Sequence, residues 1–400
     1  SFYDPLAPDA EEALQKLAGL SARLARKIST DLVPVQSTRL ATSPFPRFLK
    51  GLHTDDAIDR VVKLEASTCH LGWQYLSLGP ALPGAKGACD LIPLLLAETR
   101  DVFFSTIIAD KEYLYTDMVR KSAEIIQAAA YLEPDGFANL RFAALARVKP
   151  FTPFLPAAYA RVGSPPVITF AVECADAVID AFKGASDLDT ARRDLLNRLE
   201  EFTRQIMDIY RLLAQGTGIE CKGFDLSPAP FPEDWCSLGG AVESLGLEHI
   251  GGIGSLAPVA FIADTLDQGN WLRVGFNGMM LPLLEDSVLA RRAGQGLLSV
   301  HDLLLYSTVC GTGLDTIPLA GNTTAAQLEC VLMDIGCLAL RLAKPLTARL
   351  MPIPGKQAGD ATGFDFSFFA NSRVLALDGQ QLAPPLLSNT PLKIAPRQRG

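Results

Sequence analysis

Four segments in the second half of the chain share one pattern: a short apolar run, a proline, a turn and nearby acidic residues. They are residues 223–234, 274–286, 313–322 and 348–360. Two of them place an acidic doublet at the same spacing from a proline, as PFPED at 230–234 and PLLED at 282–286. An amphipathic stretch follows each segment, which is typical of strand–loop–helix units. Because α/β proteins bind ligands at the ends of such strands, we expect a functional site where these loops meet.

The rest of the chain continues the alternation of strands and helices. Apolar and β-branched runs predict strands at residues 33–42, 101–108, 138–148 and 166–173. Helical spacing of apolar residues predicts helices at residues 9–28, 54–76, 113–132 and 186–215, the last of them long and charged. Alternation of this kind indicates a single α/β architecture, with the long helix near the junction of two halves.

Composition excludes several classes of function. The 400 residues are 48% hydrophobic and 20% charged with a net charge of −8, and no basic run exceeds two residues. We therefore expect a globular protein that does not bind nucleic acid. No apolar stretch reaches the roughly 20 residues of a membrane span, and the first residues do not resemble a signal peptide. Eight dispersed cysteines, without a CxxC motif, favour a cytoplasmic protein with reduced thiols.

Several sequence blocks together resemble a known family. They include VQSTRLATSPFP, GPALPG, FAALARVKPFTPFLPAA, GMMLPLLED, VCGTGLDTIPLAGNT and RLMPIPGKQAGD. In this order, from about residue 33 to residue 360, they look like the successive motifs of an uncharacterised bacterial and archaeal family grouped with pyruvate formate-lyase-like enzymes. The resemblance implies an α/β fold with a closed barrel of about ten strands and surrounding helices, as in pyruvate formate-lyase and ribonucleotide reductase. It implies no particular reaction.

Two departures from the glycyl-radical pattern affect the expected chemistry. The stretch after PGKQAGD is bulky and aromatic (residues 363–374) where the family usually has glycines. The string nearest to a glycyl-radical loop is RVLAL at 373–377, with Ala376 where glycine would be needed. A side chain there hinders the planar α-carbon radical, so no glycyl radical is expected. We predict an amino-terminal helical extension (1–32), one barrel domain (33–378, its halves meeting near 186–222) and a proline-rich tail (379–400).

Cys310 is the candidate thiol. It lies beside two glycines in VCGTG, directly before a predicted strand, where the backbone can approach a ligand closely. By resemblance to glycyl-radical barrels, it occupies the place of the working cysteine on a central loop. The alternative is a small buried residue at the end of a helix.

Acidic residues at the strand ends are the candidates for acid/base chemistry or cation binding. They are Glu233, Asp234, Glu285, Asp286 and Asp315. Converging carboxylates raise each other's pKa and so supply a proton donor near neutral pH, while hard oxygens suit a divalent cation. We assign Glu285, Asp286 and Asp315 to catalysis and Glu233 and Asp234 to ligand binding. The alternative is that they cap the following helices. Whether a metal is bound stays open.

Three cations within or just after apolar strands are candidates for holding an anion: Arg39, Arg349 and Lys356. Charges are rarely buried without partners, so they either pair with the acids or recognise a carboxylate or phosphate. We expect an enzyme that binds a small anionic metabolite and uses acid/base or thiol chemistry without a radical. The alternative is a non-catalytic barrel that senses a ligand or builds an assembly.

The chain ends predict self-association. The first helix and the tail hold apolar residues outside the barrel blocks, and three aromatics follow the last loop: Phe366, Phe368 and Phe369. Apolar patches seldom stay exposed on soluble monomers, so we expect a homodimer or a larger closed assembly that uses these segments. The alternative is that these segments fold back on their own barrel.

Overall fold

The computed structural model describes residues 1–183, 185–379, 381–383, 386 and 388–397. Within them, eleven strands form one sheet: β1 (Phe2–Tyr3), β2 (Arg39–Pro44), β3 (Tyr75–Gly79), β4 (Val102–Ala109), β5 (Tyr113–Leu114), β6 (Phe142–Ala146), β7 (Val167–Ala171), β8 (Glu220–Asp225), β9 (Gly313–Ala320), β10 (Leu346–Ile353) and β11 (Leu392–Lys393). The α-helices are α1 (Ala10–Asp31), α2 (Pro46–Leu49), α3 (Thr54–His70), α4 (Ala88–Glu98), α5 (Thr116–Ala130), α6 (Ala175–Lys183), α7 (Leu188–Ala214), α8 (Leu238–Ser244), α9 (Leu256–Asp267), α10 (Ser287–Gly294), α11 (Val300–Tyr306) and α12 (Ala325–Leu342).

The sheet is mixed and has two edges. Its strand order is β8-β7-β1-β2-β3-β4-β6-β10-β9, and β5 and β11 continue from β4. The strands β1, β2, β3, β4 and β6 are mutually parallel, and antiparallel pairings at β1–β7 and β6–β10 reverse the direction of both flanks. Residues 272–284 contact both edge strands, since Arg273 forms a bridge with β8 and Pro282 forms one with β9. The α/β prediction is confirmed as a large mixed sheet surrounded by helices.

One predicted helix is partly wrong. The helix predicted over residues 54–76 ends at His70, and Tyr75–Gly79 is the central strand β3. Gly72 adopts a φ of +93°, a left-handed conformation that glycine reaches without a steric penalty and that stops the helix. Residues 75–79 pair with β2 on one side and with β4 on the other, so β3 lies in the middle of the sheet.

The two faces of the sheet have different partners. Helices cover one face and contribute to the largest hydrophobic cluster. Residues 148–160 cover the other, which we call the inner face. There they pack in two small clusters with inward residues such as Ala41 and Leu145. Hydrogen bonds fix this loop, since the Ser77 hydroxyl donates to the Ala158 carbonyl at 2.7 Å. Small strand residues therefore leave space that the loop fills.

The four repeated segments do not all become strand–loop–helix units. The first, third and fourth contain β8, β9 and β10, and α8 and α12 follow the first and third. The second, residues 274–286, overlaps the irregular segment 272–284 that forms isolated bridges with both edge strands, and α10 follows it. Between β10 and β11, the residues that the structure describes form no helix. Spacing alone did not distinguish these outcomes.

The terminal segments contact the sheet. Strand β1 lies between β2 and β7, α1 packs on α7, and β11 pairs with β5. Phe366 and Phe369 pack on Phe137, and Phe368 packs on Phe231, with ring centroids 5.0–6.0 Å apart. Part of the predicted tail, at 380, 384, 385, 387 and 398–400, lies outside the described residues. The domain division and the homo-oligomer stay predictions.

Candidate functional site

A charged cluster on the inner face is built around Arg349. This arginine lies on β10, next to β9, and its guanidinium spans two carboxylates. Its Nε donates to Asp315 Oδ1 at 2.5 Å, and its Nη2 donates to Glu285 Oε1 at 2.7 Å. Only 8% of the Arg349 side chain is exposed, against 16% for Asp315 and 26% for Glu285. Burial opposes the charge of Arg349, but the two carboxylates outweigh it and raise the arginine pKa.

Glu285 titrates near neutral pH. Burial raises the pKa of its carboxyl from 4.5 to about 7, Arg349 opposes this, and Asp315 and Glu173 add to it. Its Oε2 has no hydrogen-bond partner among the described residues, while Oε1 is held by Arg349. A carboxyl with a pKa near the working pH and one free oxygen is suited to giving or taking a proton.

A large cavity lies between α1, α7, the start of β2 and the end of β7. Its volume is about 620 Å³, which is within the usual range for small-molecule sites. Much of the wall is apolar, including Leu24, Ile28, Phe154, Phe202 and Ile206. This cavity therefore offers room for a metabolite and a hydrophobic surface to bind it.

Arg39 and Glu173 are charged groups on the wall of this cavity. Arg39 Nε donates to the Ser37 hydroxyl at 2.9 Å, and within the described part of the chain no carboxylate lies within ion-pair distance of its guanidinium. Glu173 Oε2 accepts a 3.4 Å hydrogen bond from Gln36. Burial lowers the pKa of Arg39, and the charge of Glu173, an exposed residue, opposes this shift. Both also act on Glu285, which links the cavity to the Arg349 cluster.

A second, much smaller cavity lies beside Arg349 and Asp315. It measures about 20 Å³, room for one water molecule, and Thr312 and Thr347 add hydroxyl groups to its wall. Phe154 and Leu155 line this cavity and the large one. Residues 148–160 therefore lie between the large cavity and the buried Arg349.

Asp286 is positioned as a helix cap. It is fully buried, and its carboxylate accepts hydrogen bonds from the Val288 and Leu289 amides of α10, both at 3.0 Å. It also accepts from the Leu238 and Gly239 amides of α8 and from the Ser237 hydroxyl. This carboxylate joins the first turns of two helices, a geometry that favours the capping alternative.

The first acidic doublet lies at the surface. Glu233 and Asp234 are exposed, and Asp234 accepts from the Ser287 hydroxyl at 2.6 Å and from Arg291 at 3.3 Å. Lys356 follows β10 and is half-buried, and its amide donates to Ile353. None of these three lines either cavity.

Cys310 is almost fully buried in the large hydrophobic cluster. The Lys344 ammonium donates a hydrogen bond to the backbone carbonyl oxygen of Cys310. Neither cavity wall includes this thiol. Another cysteine, Cys174, does line the large cavity, but burial raises the pKa of its thiol well above the ordinary value. This environment keeps the Cys174 thiol protonated.

The structure unites part of the predicted site and adds one residue. Glu285, Asp315 and Arg349 meet on the inner face, and Arg39 faces the adjoining cavity. The addition is Glu173, which lies two residues after the end of β7 at Ala171. The same rule of acids at strand ends would have selected it. Searching the described residues for three or more histidine, cysteine or acidic side chains that could hold a metal ion finds no such group.

Comparison with known proteins establishes the family. Residues 9–369 match the family described as uncharacterised ACR (DUF711), so the chain belongs to it. A UPF0210 protein of Syntrophobacter fumaroxidans is 30% identical over 83% of this chain and 77% of its own length. The UPF0210 protein of Methanococcoides burtonii is 26% identical over 88% of this chain and 83% of its own. In Pyrobaculum aerophilum, the relative is 34% identical over 61% of this chain and 55% of its own length.

These matches confirm the expected family of uncharacterised bacterial and archaeal proteins. Nothing in them refers to pyruvate formate-lyase-like enzymes or to a ligand. Every helix within the described residues is too short or too polar to span a lipid bilayer.

Proposed function

We propose that this chain is an enzyme that binds a small ligand carrying an anionic group in the 620 Å³ cavity. The observation that carries the proposal is Arg39, a guanidinium on the cavity wall with no carboxylate partner in the described residues. Arginine forks bind carboxylates and phosphates through paired hydrogen bonds. Asp315 and Glu285 already occupy Arg349, so the ligand's anionic group is assigned to Arg39.

In this proposal, Glu285 is the group that transfers a proton. Its pKa of about 7 lets both protonation states occur at neutral pH, and Arg349 holds one of its oxygens in place. A bound anion would disfavour the ionised form of Glu285, so ligand binding should be accompanied by proton uptake. Asp315 fixes the orientation of Arg349 and thereby supports this geometry.

We also infer that residues 272–284 complete the sheet as a barrel wall. Their bridges to Phe224 of β8 and to Asp315 of β9 support this inference. A closed wall would enclose the inner face and keep water from Glu285, which is the condition under which its proton affinity stays high.

A second function, ligand sensing without turnover, is favoured by one observation. Glu285 does not line the large cavity. The charges of Arg39 and Glu173, which do line it, affect the pKa of Glu285. A ligand bound at Arg39 would then change the charge of Glu285 without reacting. Binding and turnover must therefore be measured separately.

The test is a thermal-shift screen of small carboxylates and phosphates, followed by calorimetry and product analysis on each compound that binds. We expect binding to weaken at least tenfold in Arg39→Met and to persist in Glu285→Gln, with turnover lost in the second variant. Arg291→Met is the matched control, because Arg291 pairs with Asp234 at the surface. Unchanged binding in Arg39→Met would contradict the proposed site, whereas binding without product in the wild type would favour the sensor.

A further inference from the structure

The charges around the large cavity restrict the class of ligand further than the presence of an anionic group does. Its wall holds two arginines and three carboxylates: Arg39, Arg198, Glu173, Asp176 and Asp180. Arg198 pairs with Asp180 at 3.5 Å, so this arginine and this carboxylate balance each other. Arg39 then faces two acidic residues. A doubly charged anion such as a phosphate monoester would add to this negative excess and is therefore disfavoured.

Arg39 and Glu173 both line this cavity, and no ion pair joins them within the described residues. Direct pairing would have cancelled the two groups. The cavity lining therefore holds an unpaired cation and an unpaired carboxylate, and each makes one side-chain hydrogen bond, Arg39 to Ser37 and Glu173 to Gln36. A ligand with a carboxylate and an ammonium group would satisfy both.

The apolar part of the cavity wall indicates that the ligand also carries a hydrophobic group. Side chains of α1 and α7, among them Leu24, Ile28, Phe202 and Ile206, form an apolar surface within the same cavity. Apolar surface of this kind is stabilised by covering it with a hydrophobic group, and a cavity of about 620 Å³ has room for a large one.

We propose that the cavity binds an α-amino acid with a large apolar side chain, its carboxylate at Arg39, its ammonium at Glu173 and its side chain on the α1–α7 wall. The proposal rests on the proposed function, because it assigns the ligand of the same cavity. It differs in requiring the ammonium group, which an anion site alone does not.

Four small molecules that share parts of one structure test the proposal by calorimetry at pH 7.5. They are L-phenylalanine, 3-phenylpropionate without the ammonium group, 2-phenylethylamine without the carboxylate, and L-alanine without the ring. We expect L-phenylalanine to bind about tenfold more tightly than each of the three, since a charged hydrogen bond or a buried ring contributes at least that factor. Equal binding of 3-phenylpropionate would overturn the amino-acid assignment and leave the anion site standing.

Variants locate the two contacts. In Glu173→Gln, the preference for L-phenylalanine over 3-phenylpropionate should fall from about tenfold to about one. In Arg39→Met, both carboxylates should weaken and 2-phenylethylamine should not. Glu220→Gln on β8 is the control, because Glu220 pairs with Lys222 at 2.6 Å and does not line the cavity. A preference that survives in Glu173→Gln, or no binding of L-phenylalanine to wild type at millimolar concentration, would overturn the proposal.

Discussion

The two acidic doublets have the same spacing from a proline but occupy different environments. Glu233 and Asp234 are exposed, and Asp234 accepts hydrogen bonds from the half-buried Ser287 and the exposed Arg291. Glu285 reaches the buried Arg349, and Asp286 is fully buried between two helices. A carboxylate in water costs little, whereas a buried one needs a partner for each oxygen.

The segments that lie next to each doublet in the fold cause the difference between the two environments. Pro282 is bridged to Asp315 of β9, so the second doublet begins beside the sheet, and β10 carries Arg349 within reach. The first doublet leads into a single turn of 3₁₀ helix, Asp234–Cys236, at the surface. A local motif therefore supplies the chemistry, and the adjacent strand decides whether that chemistry is buried.

The largest expected effect comes from Asp286→Ala. The substitution leaves amides of α8 and α10 without an acceptor in a buried position and removes a helix cap, so we expect a loss of about 3 kcal/mol or more in the free energy of unfolding. Urea denaturation measures it. Asp234→Ala is the matched control, with an expected loss below about 1 kcal/mol because Asp234 is exposed. Equal losses would contradict the contrast between the doublets.

Removing the shared arginine should destabilise the second doublet almost as strongly. Arg349→Met leaves Glu285 and Asp315 buried together without a cation, for which we expect a loss of about 3 kcal/mol at pH 8. At pH 5 the loss should shrink, since Glu285 with a pKa of about 7 is then neutral. Arg291→Met should change stability little at either pH. A loss that does not depend on pH would show that packing, and not charge, explains the role of Arg349.

The pH dependence of stability should depend on Glu285. Its pKa in the folded state, about 7, lies above the ordinary value of 4.5, so the folded protein binds more protons between these limits. Its contribution is fully present below about pH 4.5 and is lost as pH rises through about 7, a change on the order of 3 kcal/mol. Thermal melts of wild type and Glu285→Gln should show a smaller decline for the variant over this range. Parallel curves would contradict the raised pKa.

Much of this architecture was predictable from local pattern. The apolar runs gave β4, β6 and β7 within a few residues, and the charged periodicity gave α7. The missed strand β3 follows a helix and is short, and only its pairing with β2 and β4 stabilises it as a strand. Such pairing is a long-range interaction that no local window contains.

The candidate site was predictable in residue type but not in environment. Acids and arginines at strand ends were visible, yet Asp286 caps helices and Cys310 packs in the hydrophobic core. Burial and partners decide between these roles, and both depend on residues far apart in sequence. Arg349 is 34 residues from Asp315 and 64 from Glu285.

The most direct test of the account is the titration of Glu285 itself. Difference infrared spectroscopy of wild type against Glu285→Gln follows the carboxyl stretch of this one residue as pH is raised. We expect deprotonation of Glu285 with a midpoint at about 7, shifted upward when a carboxylate ligand is bound. A midpoint at the ordinary glutamate value of about 4.5 would contradict the assignment of Glu285 as the proton-transfer group.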